Sequence, residues 1–165
     1  MGRKFVMEEL DFFGRVEKIE VGNMWIHIIP VPDDVVAILW DAGVRRVIGE
    51  INGHAYNRGI MGSAKDGRYL FFGKKILNEF GVRAGSRVEV TIAPDPDPNR
   101  VEVPQELELA LAHNDEARAR WETFTPGRKR GLCHHVISAK RKETRIRRSV
   151  ELAEKIRQHQ LHDDK

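Results

Sequence analysis

The sequence is poor in cysteine and contains no long apolar run. Cys133 is the only cysteine among the 165 residues, so no internal disulfide can form, which agrees with a reducing compartment. No window approaches the roughly twenty consecutive apolar residues of a transmembrane helix. The segment 1–11 mixes basic and acidic residues and lacks the apolar centre of a secretion signal. We therefore expect a cytoplasmic protein without a membrane partner.

The sequence also lacks the common motifs of catalysis and cofactor binding. The glycine-rich segment 59–65 has neither the spacing nor the Lys-Ser/Thr ending of a phosphate-binding loop. Ser63 lies near His54 and Asp66 in the sequence but is not part of a nucleophile elbow. Cys133 precedes two histidines, but adjacent positions of a helix diverge by about 100° and do not converge on one tetrahedral ion. These absences favour a non-enzymatic protein, for which we predict no catalytic residue, no cofactor and no metal site.

Composition and charge divide the chain into two parts. The hydrophobic share of 41% allows a packed core, and the charged share of 32% keeps the surface soluble. Alternating prolines and aspartates at 94–98 favour an extended, stiff connector. Residues 1–98 carry 13 Lys and Arg against 14 Asp and Glu, whereas residues 99–165 carry 15 against 11. We therefore predict two domains, 1–98 and 99–165, of which the second is basic.

The first part contains the same unit twice. One copy runs from Trp25 through an apolar helix to a Gly-Val-Arg run at 43–45 and into a second strand. The other copy runs from Tyr69 through a short helix to Gly-Val-Arg at 81–83 and into its own second strand. Each copy is predicted to form strand, short helix and strand. A repeat of about forty residues that occurs only twice suits a closed barrel in which each copy buries the apolar face of the other.

Local signals refine both parts. Asn52-Gly53 and Asp66-Gly67 are dipeptides that hairpin turns prefer. After the connector the apolar spacing becomes helical, and Thr125-Pro126 is typical of an N-cap followed by a first-turn proline. The last predicted helix is expected to bury four apolar residues, Ile146, Val150, Ala153 and Ile156. The sequence thus predicts an α+β protein in which a small mixed β-barrel precedes a small α-helical bundle.

Short motifs in the two parts resemble two bacterial families. The first part resembles the domain-of-unknown-function family 1905 through Phe12-Phe13-Gly14, Pro30-Val31-Pro32 and Gly67-Arg68-Tyr69. The second part resembles the helical family called bacteriocin-protection, YdeI or OmpD-associated. That likeness is carried by Thr125-Pro126 and by the more specific run Ala139-Lys140-Arg141-Lys142-Glu143-Thr144-Arg145. Together the two resemblances cover nearly the whole chain.

The resemblances have mainly structural implications. The first implies a double-split β-barrel, the fold of AbrB- and MazE-type transcription factors and antitoxins. Those relatives build one barrel from two chains, whereas this chain is expected to supply both halves itself, which allows a monomer. Neither family brings catalytic residues. The name of the second family suggests an interaction protein in a stress or bacteriocin-resistance pathway.

A basic segment is the strongest indication of a partner. Eight cations are the candidate polyanion-binding residues: Arg128, Lys129, Arg130, Lys140, Arg141, Arg145, Arg147 and Arg148. Clustered on one side of a helix pair, they would neutralise the phosphates of a nucleic acid or another polyanion, and such binding weakens as salt rises. The alternative is a solvated face that keeps the bundle soluble, with long side-chain stems covering apolar surface.

A further alternative is a small-ligand or enzymatic site near residues 52–58. His54, Tyr56, Asn57 and Arg58 combine polar and aromatic groups near the expected mouth of the barrel, where ligand pockets are common. Hairpin-turn chemistry explains Asn52-Gly53 without any ligand. The sequence therefore leaves three functional hypotheses open: polyanion binding, protein interaction and small-ligand binding.

Overall fold

The computed structural model describes residues 8–164, which contain eight strands and six helices. The strands are Leu10–Arg15 (β1), Glu17–Val21 (β2), Met24–Pro30 (β3), Arg46–Ile51 (β4), His54–Gly59 (β5), Met61–Ser63 (β6), Gly67–Phe72 (β7) and Arg87–Pro94 (β8). The helices are Asp33–Asp41 (α1), Lys74–Glu79 (α2), Gln105–Ala112 (α3), Asp115–Trp121 (α4), Pro126–Ile137 (α5) and Lys142–Gln158 (α6). The predicted α+β class, with a β region followed by helices, is confirmed.

The chain forms two compact units, Met1–Pro98 and Asn99–Lys165, called here the β unit and the helical unit. In the β unit, all strand pairs are antiparallel. Sheet A has the order β1-β8-β4-β5, and sheet B has the order β2-β3-β7-β6. Within residues 8–164 no ladder joins the two sheets into one closed barrel, so the predicted closed barrel is wrong.

The chain passes from sheet A to sheet B at two corners, and these corners explain why the strands form two separate sheets. Val16 separates β1 from β2, and its backbone N–H donates to the Ser86 carbonyl at 2.9 Å. Ile60 separates β5 from β6, and its N–H donates to the Arg45 carbonyl at 2.9 Å. The N–H of each corner residue donates to a loop carbonyl and not to a neighbouring strand, so the ladder is interrupted there.

The two repeats share one topology. Each has three strands, a helix and a fourth strand, β1 to β4 with α1 and β5 to β8 with α2, and exchanging the copies leaves both strand orders unchanged. The predicted strand, helix and strand are therefore confirmed in both copies, each preceded by two further strands. The helix ends also correspond. The Val44 N–H donates to the Leu39 carbonyl at 2.9 Å, and the Val82 N–H donates to the Leu77 carbonyl at 3.0 Å.

Every second residue along the strands points into the core of the β unit, which lies between the two sheets. Ile29, Leu70 and Phe72 of sheet B and Val47 and Ile92 of sheet A are at most 1% exposed. Since successive strand residues point to opposite faces, these positions also fix which residues of each strand face outward. The two short helices add further apolar side chains to the same cluster.

The helical unit has its own core and well-defined helix starts. Thr125 Oγ1 accepts from the Arg128 N–H at 3.2 Å, which confirms the predicted N-cap before Pro126. Asn114 Oδ1 accepts from the Ala117 N–H at 3.1 Å and begins α4 in the same way. The core includes Leu107, Leu111, Trp121, Val136 and Ile156. In the part of the chain that the structure describes, no helix has the length and apolarity needed to cross a bilayer.

Candidate binding groove of the helical unit

A groove of about 510 Å³ lies between α3 and α6 in the helical unit. At one end, Glu106 in the first turn of α3 pairs with Arg145 in the first turn of α6, with Nε and Oε1 3.1 Å apart. At the other end, Asn114 beyond α3 and Glu154 in the second half of α6 both line the groove. The two helices therefore run in the same direction along it.

The walls and floor of this α3/α6 groove are apolar. Leu109 on α3 and Ile146 and Val150 on α6 line it, and they are 53%, 46% and 59% exposed. Ala110 and Ala153 also line it, and their short side chains leave space between the helices. Large apolar side chains exposed side by side on a soluble protein are typical of an interaction surface.

The exposure of Ile146 and Val150 contradicts the sequence expectation that both residues are buried. Ser149, Leu152, Ala153 and Ile156 are the buried residues of α6. Because successive helical residues are separated by about 100°, Ile146 and Val150 lie at the flank of this buried sector. The apolar sector of α6 is wider than the neighbouring helices cover, and its uncovered edge becomes a wall of the groove.

Sequence reasoning missed Leu109, although a signal was present. Leu107, Leu109 and Leu111 alternate along α3. Residues two apart in a helix point in nearly opposite directions, so the middle leucine cannot share the buried face of the outer two. Leu107 and Leu111 are fully buried, and Leu109 accordingly faces the groove.

Each acid on the rim of the groove has a basic partner. A backbone hydrogen bond at the start of α3 and then the Arg145 guanidinium hold the pKa of Glu106 below its usual value. The Arg157 guanidinium does the same for the pKa of Glu154. Both carboxylates are therefore ionised and matched by an arginine. Lys142, which is exposed and lines the groove at the Glu106 end, makes that end the more positive one.

Four of the eight predicted polyanion-binding residues donate hydrogen bonds to carboxylates or backbone carbonyls of the helical unit. Arg128 Nη2 lies 2.9 Å from Asp163 Oδ1 and 3.0 Å from Asp164 Oδ1. Arg145 also donates to the Ala139 and Lys140 carbonyls at 3.1 and 3.0 Å. The remaining two of these four are Arg130 and Arg148. Arg130 donates to the Arg100 carbonyl at 2.8 Å, and Arg148 donates to the His135 carbonyl at 2.9 Å.

Of the other four candidates, three are exposed and one is half-buried. Lys129 is half-buried, with its Nζ 5.7 Å from the centre of the Trp121 ring. Lys140 and Arg141 are exposed and immediately precede Lys142 at the start of α6. Arg147 is exposed, and its Nε lies 4.0 Å from Glu151 Oε1. Lys140 and Arg141 thus adjoin Lys142 in the chain, but neither lines the groove.

The four predicted small-ligand residues lie on β5, but on two different faces of sheet A. His54, Tyr56 and Arg58 alternate on the core face, and Asn57 is on the outer face, as their partners on β4 show. Tyr56 Oη donates to the Thr91 carbonyl at 2.7 Å, and burial raises the pKa of Tyr56. Arg58 Nε donates to the Phe71 carbonyl at 3.1 Å, and burial lowers its pKa.

The remaining two of these residues also have internal partners. His54 stacks on the Phe80 ring, with ring centres 5.1 Å apart, and Asn57 Nδ2 donates to Asp95 Oδ2 at 2.9 Å. A small-ligand site at these residues stays a prediction. Among residues 8–164, no three His, Cys, Asp or Glu side chains gather closely enough to hold a metal ion.

The order of strands and helices defines an α+β protein in which a twofold repeat of strands precedes a helical domain. Residues 12–92 match the family described as domain of unknown function (DUF1905), and residues 100–159 match the family described as bacteriocin-protection, YdeI or OmpD-associated. The chain therefore carries a domain of the first family followed by a domain of the second, which confirms the resemblance seen in the sequence. A search of curated proteins finds no match to the chain.

Proposed function

We propose that this protein is a non-enzymatic interaction protein whose helical unit binds an amphipathic helix of a partner protein in the α3/α6 groove. The observation that carries the proposal is the exposure of Leu109, Ile146 and Val150 along one groove. A groove between two helices receives the apolar face of a third helix through side chains spaced about one turn apart. The apolar walls and the alanine floor of the α3/α6 groove provide such a binding surface.

Length and charge favour a helix as the occupant. Residues 142–154 of α6 border the groove, and at 1.5 Å per residue they extend over roughly 18 Å, enough for about three helical turns of a partner. Lys142 makes one end positive, and Lys140 and Arg141 are exposed beside it. A partner helix that carries acidic residues at the end near Lys142 complements this charge, which favours one orientation of binding.

A labelled synthetic peptide tests this proposal. The probe is an amphipathic helix of Leu, Ala and Glu with leucines at i, i+3 and i+7 and its glutamates at one end, and fluorescence anisotropy measures its binding. Ile146→Glu and Val150→Glu should each weaken binding at least about tenfold because they place a charge against apolar side chains. A scrambled peptide should bind no better to the wild type than to these variants.

The matched control for the groove variants is Ile137→Glu. Ile137 is 56% exposed on α5 and does not line the groove, so this substitution should leave peptide binding unchanged. Equal binding by Val150→Glu and by the wild type would refute the groove as the site. Circular dichroism checks that each variant stays folded.

A second candidate function is polyanion binding, favoured by the exposure of Lys140, Arg141 and Arg147 on and before the first turns of α6. Binding of a short DNA duplex should fall steeply with salt because neutralising phosphates releases counterions. The triple charge reversal of these residues to Glu should abolish it. A double reversal of Lys74 and Lys75, exposed on α2 of the β unit, is the control. Binding that does not depend on salt, or that survives the triple reversal, argues against this candidate.

The family description of the helical unit contains the words bacteriocin protection, and it supports an interaction role in a resistance or stress pathway. The single cysteine supports a cytoplasmic setting for that role. Loss of bacteriocin or stress tolerance on deletion, restored by the wild type but not by Val150→Glu, would connect the groove with that pathway.

A further inference from the structure

Two arginines of the β unit lie against one tryptophan ring. The Cζ atoms of Arg45 and Arg68 are 4.0 and 4.7 Å from the centre of the Trp40 ring. Trp40 belongs to the last turn of α1, Arg45 to the loop before β4, and Arg68 to β7. The half-buried Trp40 packs against the core of the β unit, so its ring is a fixed support for both guanidiniums. A guanidinium stacked on a ring still presents N–H groups along its edge.

The two guanidiniums have no carboxylate beside them. Neither belongs to an ion pair described for residues 8–164. Each donates through Nη1 to a backbone carbonyl, Arg45 at 3.1 Å and Arg68 at 2.7 Å. A guanidinium has five N–H groups, so most donors of both side chains remain open to a ligand. Asp66 is the acid nearest to Arg68 in sequence, and it accepts from Ser63 Oγ at 3.3 Å.

The helical unit contains a comparable arrangement together with its anion. The Cζ atoms of Arg120 and Arg128 are 5.2 and 4.0 Å from the centre of the Phe124 ring. Both arginines donate to the Asp164 carboxylate, at 3.1 and 3.0 Å. Two arginines on one ring therefore bind an oxyanion where the chain supplies one. At Trp40 the described part of the chain supplies none, which points to an anion from outside.

The Trp40 cluster occurs at one of the two places that the repeat makes equivalent. Equivalent residues can be matched through the corner hydrogen bonds, the ladder register and the helix ends that both repeats share. Exchanging the repeats replaces Trp40, Arg45 and Arg68 by an amide, a hydroxyl and an imidazole, namely Asn78, Ser86 and His27. Since the fold forms without arginines at the second place, it does not require them at the first.

The charges of the β unit favour a small dianion over a long polyanion. Residues 1–98 carry 13 Lys and Arg against 14 Asp and Glu, so this unit is not basic as a whole. Arg68 also lines a hollow of about 630 Å³ whose other charged residues are Glu17, Glu20 and Asp66. These acids would repel a nucleic acid that extended beyond the two arginines. A phosphate monoester carries a charge of about −2, which two guanidiniums match.

We propose that Arg45 and Arg68, supported by Trp40, form an oxyanion site that binds the phosphate group of a small molecule. The phosphate oxygens accept from the edges of both guanidiniums, as the Asp164 carboxylate does in the helical unit. This inference concerns the β unit, and it depends neither on the α3/α6 groove nor on the cations at the start of α6.

Isothermal titration calorimetry of the full chain with phenyl phosphate tests the site, at about pH 7.5, where the monoester is a dianion. Phenyl phosphate and inorganic phosphate should both bind. Benzoate has the same ring but a single charge, and it should bind at least about tenfold more weakly. Arg45→Gln should weaken phenyl phosphate binding at least about tenfold because charge-assisted hydrogen bonds are lost. Arg45→Lys should also weaken it, since an ammonium lacks the planar fork.

The matched control is Arg87→Gln. Arg87 is exposed on the outer face of sheet A, with its Cζ 5.0 Å from the centre of the Phe13 ring. This substitution removes the same charge from an arginine that has no second arginine on its ring among the described residues. Binding of phenyl phosphate should therefore stay within about twofold of the wild type. Circular dichroism checks that each variant stays folded.

Several outcomes would overturn the proposal. One is the absence of saturable binding of phenyl phosphate by the wild type up to about 10 mM. Equal weakening by Arg87→Gln would mean that binding follows net charge and not the Trp40 cluster. Benzoate that binds as tightly as phenyl phosphate would rule out a phosphate site. A short DNA duplex that loses binding in Arg45→Gln would assign the cluster to a nucleic-acid surface and not to a small molecule.

Discussion

Asp164 shows how one carboxylate joins several parts of the helical unit. Its side chain accepts from Arg120 Nη1 at 3.1 Å, from Arg128 Nη2 at 3.0 Å and from the Leu161 N–H at 2.8 Å. Arg120 also donates to the Ile156 carbonyl at 2.9 Å. The Arg120 guanidinium, the Leu161 N–H and Arg128 together hold the pKa of Asp164 far below its usual value. This carboxylate therefore links α4, α5 and the segment after α6.

Replacing Asp164 by Asn should lower the free energy of unfolding at neutral pH. The folded pKa lies below the unfolded value of about 4, so the carboxylate stabilises the fold above that pH and less as the pH falls toward the folded pKa. Urea denaturation should therefore show a gap between wild type and variant at pH 7 that narrows below about pH 4.

The control for this prediction is Asp163→Asn. The Asp163 side chain is 60% exposed and contacts Arg128 alone among the ion pairs described for residues 8–164, so its loss should change stability little. A gap between wild type and Asp164→Asn that stays constant from pH 7 to pH 2 would contradict the linkage.

Cys133 should be an unreactive thiol in the folded protein. The residue is 3% exposed, and burial raises its pKa to about 11. Because the thiolate is the nucleophile, a raised pKa leaves little of the reactive form at pH 8. Alkylation by iodoacetamide should be roughly a hundredfold slower in the native protein than in urea. Rapid labelling without denaturant would show that the α5 face around Cys133 opens readily.

At the scale of elements, the pairing of β4 with β8 opens around Thr91. Direct pairs join Val47 to Pro94 and Ile51 to Val90. Between them, the Glu50 N–H donates to Thr91 Oγ1 at 2.8 Å, and Tyr56 Oη donates to the Thr91 carbonyl at 2.7 Å. Two side chains thus complete the hydrogen bonding that the ladder leaves out, which gives Tyr56 a structural role in sheet A.

Gly49 is required at this opening. A Cβ added there would lie 1.9 Å from the Thr91 carbonyl oxygen, which is backbone and cannot rotate away. Gly49→Ala should therefore destabilise the protein by about 1–3 kcal/mol, as overpacking does, measured by urea denaturation. Gly59→Ala is the matched control, since the nearest atom to its Cβ would be Arg46 Nη1 at 3.6 Å. Equal stability of the two variants would refute the steric account.

Many elements could be predicted because their signals are local. Gly43 and Gly81 end α1 and α2 with the same positive φ of 74°, and a left-handed residue after a helix strongly favours glycine. The Asn52-Gly53 turn joins β4 to β5 as predicted. The corners at Val16 and Ile60 were not predictable in this way, because the strand pattern continues through both residues and their bonds go to distant loops.

At the scale of the whole molecule, each unit has a separate core. Phe72 belongs to the apolar cluster of the β unit, and Leu111 belongs to that of the helical unit. These two clusters have no residue in common. A single transition between folded and unfolded states is therefore not expected to describe the chain.

Truncating either core should act on its own unit. Phe72→Ala should destabilise the β unit by about 3–5 kcal/mol, and Leu111→Ala should destabilise the helical unit by about 2–5 kcal/mol. Hydrogen exchange read by mass spectrometry should show faster exchange in residues 8–98 for the first variant and in residues 99–164 for the second. Equal acceleration in both units by either variant would mean that the two cores unfold together.

The sequence by itself determined the two repeats, the Asn52-Gly53 turn, the glycines that follow α1 and α2 and the Thr125 N-cap, because these depend on backbone preferences of neighbouring residues. Tertiary structure decided which apolar side chains are covered and which cations are paired. Arg145 meets Glu106 across 39 positions of sequence, and no local pattern reports such a pair. Likewise, Ile146 and Leu109 are exposed because the neighbouring helices cover only part of the apolar sectors of α6 and α3. Tertiary packing alone decides which part is covered.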